Sequence, residues 1–174
     1  DRGLTVTSLP LLHRVPCCGF LFREKPSLPH IKREMIDFYK IPHYAINSIK
    51  QGADWTTPEG DIIPNHRLVF AGDAPRSYAY CSDTAYNPSL CETLKGVNLL
   101  YHEATFAEDM AERARLVGHS TARQAAQIAR AAEVGKLLLG HFSARYEDET
   151  VLLQEAQMVF PNAILAHEGL CISL

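Results

Sequence analysis

KLLLGHFSARYED, Lys136 to Asp148, is the stretch on which the fold turns. Leu137, Leu138 and Leu139 make a continuous apolar run, too short for an ordinary helix and of the right length for a buried strand. Gly140 and His141 follow at once, and then a polar cluster. A strand therefore delivers an imidazole at its tip, where the chain leaves the core. Taken alone, such a histidine is more often a hydrogen-bonded structural residue than a ligand.

Working outward, the flanking segments alternate between helix and strand patterns. Thr121 to Val134 is the clearest helix. Thr121 and Gln124 form a capping box, and Ala122, Ala125, Ala126, Ala129 and Ala132 give a small-residue face for close packing. Glu149 to Phe160 is expected as a helix, and AILAHEGLCISL as a terminal strand pair around Gly169. Upstream, NLLYHEA and SYAYCSD read as strands and Ser89 to Lys95 as a helix. Nearer the start, LTVTSLPLL and CCGFLFRE read as strands around a turn holding His13, Arg14 and Pro16. Between them lies a polar, proline-punctuated stretch. It is expected to hold helices at IKREMIDFY and YAINSIKQ, a loop or hairpin from Thr56 to Asn65, and a strand at HRLVF. The alternation points to a layered α/β fold.

Composition narrows the classes. The 174 residues suffice for one domain with a sizeable core. Hydrophobic residues at 47% and charged residues at 21% are ordinary for a globular protein, and no apolar run approaches the roughly 20 residues of a membrane-spanning helix. A net charge of -3 excludes a globally basic nucleic-acid binder, though not a local basic patch. Five cysteines, two of them the adjacent Cys17 and Cys18, fit neither a disulfide framework nor a CxxC zinc site and read as reduced core thiols of a cytosolic protein. The chain begins without methionine and enters strand-like sequence almost at once, as a processed protein or a fragment of a longer chain would.

Metal-competent residues recur at strand tips. His13 follows SLPLL, Asp83 follows YAYCS, His102 and Glu103 follow NLLY, and His141 follows KLLLG. Layered α/β proteins gather ligands at such tips. Histidine and aspartate suit zinc or manganese, and Asp83 could bridge two cations or simply cap a turn. His119, in GHST before the capped helix, reads either as plain loop structure or as an imidazole beside a phosphate, available as a proton donor. Glu103 could orient it. His30, His43 and His66 are expected at the surface, and His167 in a supporting role.

In this order, PLLHRVPCCGF, YCSDT, YHEATF, GHSTARQAA and GHFSARY resemble the C-terminal half of the ribonuclease Z family, tRNA 3′-processing endonucleases of the metallo-β-lactamase superfamily. The similarity runs over nearly the whole chain. It implies the second half only of an αβ/βα sandwich, the upstream half with its HxHxDH motif being absent from these residues. It further implies a two-zinc site (manganese being the other candidate metal), with His13 on one zinc, Asp83 bridging and His141 on the other. Glu103 and His119 carry over as positioning and proton-transfer residues. Arg14, Lys32, Arg33, Ser143 and Arg145 are expected as substrate contacts.

The substrate implied is precursor tRNA, cut to leave a 3′-hydroxyl on the tRNA, by a cytoplasmic homodimer without membrane attachment. Activity from this polypeptide by itself is not expected. Residues 20 to 55 correspond to the family's tRNA-gripping arm, but YKIPHYAINSIKQG lacks the family's Gly-Pro motif. The first fifty residues are nevertheless basic, with Arg2, Arg14, Arg23, Lys25, Lys32, Arg33, Lys40 and Lys50 against Asp1, Glu24, Glu34 and Asp37. Phe38, Tyr39 and Tyr44 lie among them, which suits contact with a nucleic-acid backbone. Two other readings stand beside this one: a related metallo-β-lactamase-fold hydrolase acting on another phosphodiester or an ester, and a non-catalytic binding or dimerisation half-domain.

Overall fold

A computed structural model describes residues 3–174; Asp1 and Arg2, part of the charge pattern above, lie outside the described residues. In chain order, β1 (Leu4–Pro10) and β2 (Cys18–Glu24) form an antiparallel pair. Residues 25–75 then form a compact unit of their own. It contains β3 (His30–Ile31), α1 (Arg33–Phe38), α2 (His43–Lys50), β4 (Trp55–Thr56), β5 (Ile62–Ile63), α3 (Asn65–Leu68) and β6 (Val69–Phe70). The remainder holds β7 (Ser77–Cys81), α4 (Leu90–Thr93), β8 (Leu99–Glu103), α5 (Ala111–Val117), α6 (Ala122–Ala131), β9 (Lys136–Gly140), α7 (Thr150–Gln157) and β10 (Ala163–Leu165).

The larger unit is built on a six-stranded sheet in the order β1-β2-β7-β8-β9-β10. The pairs β1–β2 and β2–β7 are antiparallel, and β7, β8, β9 and β10 run parallel. Two antiparallel steps make β1 run the same way as β7, so the C-terminal tips of β1, β7, β8 and β9 share one edge. Period-2 alternation sets the faces. Leu21, Ala79, Cys81, Leu100, Leu137 and Leu139 enter one core with the alanine face of α6, whose Ala122, Ala125, Ala126 and Ala129 are fully buried. Small residues there allow the helix to lie close on β8 and β9. On the other face Phe20, Tyr80 and Tyr101 line up across the register, and Phe20 and Tyr80 stay exposed.

The smaller unit has a separate core of Ile41, Ala45, Ile49, Ile63 and Leu68, flanked by Met35, Ile36 and Trp55. The unit runs from Lys25 to Pro75: residues 20–24 belong to β2 in the large sheet, and β3 pairs with β6, which lies beyond residue 55. The expected strand HRLVF is mostly a helical turn, because Arg67 N–H donates to the Pro64 carbonyl, and only Val69 and Phe70 pair. The expected terminal strand pair is a single short strand. β10 pairs with β9 over three residues, and after the left-handed turn at Gly169 no returning strand forms among the described residues. Helix α5, ended by left-handed Gly118, is an element that the sequence analysis left unassigned. Cys81 is buried as expected, but Cys18 and Cys171 are exposed, so not every thiol is a core residue.

Candidate active site

The tips of β7, β8 and β9 meet the loop before α6 at one cluster. Ligand atoms of Asp83, Glu103, His119 and His141 all lie within 4.8 Å of one another. Asp83 and His141, each just past a strand end, both adopt left-handed backbone conformations, with φ of 58° and 57°. Non-glycine residues rarely sit there, and such conformations gather at sites where aiming a side chain outweighs the strain. Gly140 is required just before His141: a β-carbon at that position would run into the Tyr101 hydroxyl and ring. The glycine lets the chain pass Tyr101 and turn the imidazole outward, where His141 Nε2 stands 3.1 Å from Asp83 Oδ1.

Glu103 is fully buried, and its carboxylate is the hub. It accepts from the Thr84 N–H at 2.5 Å, the Ser120 N–H at 3.0 Å, the Thr105 hydroxyl at 2.6 Å and His119 Nδ1 at 3.0 Å. Four donors from three loops leave the carboxylate saturated, so it orients its neighbours. Because a carboxylate can only accept, Nδ1 of His119 carries the proton, and Nε2 is the nitrogen left to exchange one with a substrate. Thr105 extends the network, its hydroxyl lying 3.0 Å from His141 Nδ1 and 2.9 Å from the His141 carbonyl.

His13 stands beside this group, outside the four. Its ring centroid is 5.2 Å from that of His119, whose ring in turn stacks 5.4 Å from His141. The loop carrying His13 is stitched to the turn after β7, since Leu12 N–H donates to Thr84 Oγ1 at 3.1 Å and Ala85 N–H to the Leu12 carbonyl at 2.7 Å. His13 Nε2 is buried with no hydrogen-bond partner among the described residues. An imidazole nitrogen in that state, with a carboxylate and two more imidazoles close by, is a donor set that fits a divalent cation.

Other expectations divide. His102, read with the strand-tip residues, is wholly buried and donates Nδ1–H to the Glu103 carbonyl, and burial pushes its imidazole below the ordinary histidine value. It is a core residue. The Cys17 thiol, raised by burial first and then by the charge of Asp83, donates to the Asp83 carbonyl at 3.2 Å. Ser143 hydrogen-bonds the Thr105 carbonyl through its N–H and accepts from Arg145 Nε, while the Arg145 guanidinium lies 5.1 Å over the Phe106 ring. Arg14 is exposed in the same unit. Lys32 and Arg33 belong to the 25–75 unit, where Lys32 Nζ donates to the Arg67 carbonyl and Arg33 is exposed. His30 is half-buried against Asp73, His66 is exposed, and His167 is exposed and bonds only the neighbouring Glu168 carbonyl.

Comparison with known proteins gives this cluster its setting. No family model matches the chain. Ribonuclease Z of Bacteroides fragilis is 60% identical over all 174 residues. The similarity to this ribonuclease Z runs along the whole of the chain. The ribonuclease Z of Bacteroides thetaiotaomicron is 58% identical and that of Porphyromonas gingivalis 49%. The chain spans a little over half the length of these ribonuclease Z relatives, 57% of the first. Among solved structures, the metallo-β-lactamase fold protein YhfI from Bacillus subtilis matches 97% of this chain and 48% of its own, with a TM-score of 0.62 and 20% identity. The short form of human tRNase Z matches 99% of this chain and 44% of its own, with a TM-score of 0.59 and 22% identity. The fold is thus that of metallo-β-lactamase fold proteins, over about half of their length.

Proposed function

We propose that this chain forms the C-terminal half of a zinc-dependent endoribonuclease that removes the 3′ trailer from precursor tRNA. The observation that carries this is the convergence of Asp83, Glu103, His119 and His141 at the shared strand edge, in a chain 60% identical to a ribonuclease Z. Asp83 and His141, with His13 beside them, would hold metal, the remaining ligands coming from upstream sequence. A divalent cation at such a site supplies a hydroxide near neutral pH and neutralises phosphate charge. The chain's own residues do the rest. Glu103 fixes the His119 ring and its tautomer through Nδ1, so that Nε2 can deliver a proton to the oxygen leaving phosphorus. Thr105 ties this pair to His141, so the proton donor and the ligand move as one body. Arg145, resting on Phe106, and Arg14 offer positive charge to the RNA backbone. A cytoplasmic location follows from the substrate, and pairing of two copies from the family resemblance.

The test is cleavage of a precursor tRNA bearing a 3′ trailer by a protein of the relatives' length that carries this chain. Cleavage that stops on chelation and returns with added zinc is expected. Undiminished cleavage after exhaustive chelation overturns the metal assignment, and no cleavage of any precursor tRNA overturns the function.

A further inference from the structure

A cleft of about 370 Å³ opens beside the cluster, and His119 is one of its walls. Its other sides come from Tyr86, Glu112, Arg115, Gln124 and two alanines. All belong to the larger unit. Its size lies at the lower end of the range for small-molecule sites. We propose that this cleft is a nucleoside subsite that receives the ribonucleotide whose 3′-oxygen departs in the cleavage, an inference that rests on the function proposed above.

The lining suits that ligand part by part. Tyr86 is 38% exposed and makes no ring–ring contact among the described residues, leaving an aromatic face of the kind on which single-stranded bases stack. Gln124 Oε1 is already taken by the Thr121 N–H of the capping box, so its amide NH₂ is the group left to meet a base edge, as a donor. Arg115 has no carboxylate within ion-pair distance among the described residues. It can meet the nucleotide's 5′-phosphate. The Glu112 carboxylate in the same wall opposes a phosphate inside the cleft and accepts readily from a base amine, which favours the base as the part that enters.

His119 then borders both the nucleoside and the reacting bond. In hydrolysis the oxygen of water bonds to phosphorus as one of its protons passes to solvent, the P–O3′ bond breaks, and its electron pair leaves with O3′, which takes a proton from Nε2; solvent then returns a proton to Nε2. A nucleoside seated in this cleft presents its 3′-oxygen to the wall that carries the proton donor.

The probe is adenosine 5′-monophosphate, titrated into a ¹⁵N-labelled protein of the relatives' length that carries this chain and followed by amide shifts, with inorganic phosphate as control. Saturable shifts at Tyr86, Arg115 and Gln124 are expected, with phosphate alone giving none at Tyr86. Tyr86→Ala should weaken binding at least about fivefold, as loss of a stacking platform does, and Tyr86→Phe should keep it. Shifts elsewhere, equal shifts from phosphate alone, or unchanged binding in Tyr86→Ala would overturn the subsite. The longer protein separates this from the parent proposal. Cleavage of precursor tRNA at an unchanged KM in Tyr86→Ala removes the subsite and leaves the function. Adenosine monophosphate bound in the cleft of a protein that cleaves no precursor tRNA removes the function and leaves a nucleoside site.

Discussion

Asp83 shows how much a single residue carries. Its carboxylate stands 3.1 Å from His141 on a backbone in the left-handed conformation, which costs an L-residue with a β-carbon about 1–2 kcal/mol. Asp83→Gly should therefore be more stable than Asp83→Ala by about 1 kcal/mol, although both lose the same carboxylate. Urea denaturation of the two variants measures this, and equal midpoints would remove the strain argument. His102 makes the opposite case, an imidazole buried for packing. Its folded-state pKa lies below the ordinary value near 6.5, so on acidification the unfolded chain takes up a proton that the folded chain refuses. This group's effect is thus neutral above pH 7 and destabilising as pH falls through 6.5, by up to about 1.4 kcal/mol per pH unit. Urea midpoints between pH 7.5 and 5 should fall less steeply in His102→Asn than in the native chain. A parallel pair of curves would contradict the assignment.

At the scale of elements, the strand-to-loop junctions set the site. Gly140 is the tightest of these, since a β-carbon there would run into the Tyr101 hydroxyl and ring. Gly140→Ala should cost about 1–3 kcal/mol, the usual range for overpacking, and shift His141 away from Asp83. A thermal melt within a degree of the native one would refute it. The helix after His119 was readable because its signals are local. The capping box of Thr121 and Gln124 is present with both hydrogen bonds, and the alanine stripe is the buried face. Helix α5 carried a signal too, since Gly118 ends a run of alanine, glutamate, arginine and leucine, the usual mark of a left-handed C-terminal cap. The terminal strand pair failed for a non-local reason. Whether a strand forms depends on a neighbour to pair with, and among the described residues β10 finds one only on its β9 side.

Over the whole molecule, direction of strands explains why scattered residues converge. Once β1, β7, β8 and β9 run the same way, their tips share an edge, and residues as far apart as His13 and His141 become neighbours through His119. The residue types and the strand tips could be read along the chain. The saturation of Glu103 could not, because its donors Thr84, Thr105 and Ser120 arrive from three separate loops. Nor could the extent of the 25–75 unit, which depends on β3 finding β6 across some forty residues of intervening sequence.

The most direct measurement is the single-turnover cleavage of precursor tRNA by Asp83→Ala in a protein of the relatives' length, with tRNA binding measured alongside. The Asp83 carboxylate stands 3.1 Å from His141 Nε2, at the centre of the strand-tip cluster. Loss of cleavage by a factor of about 10³ or more, with tRNA affinity within a few-fold of native, is the expected result. Turnover near the native rate would mean that the strand-tip cluster is not the catalytic metal centre.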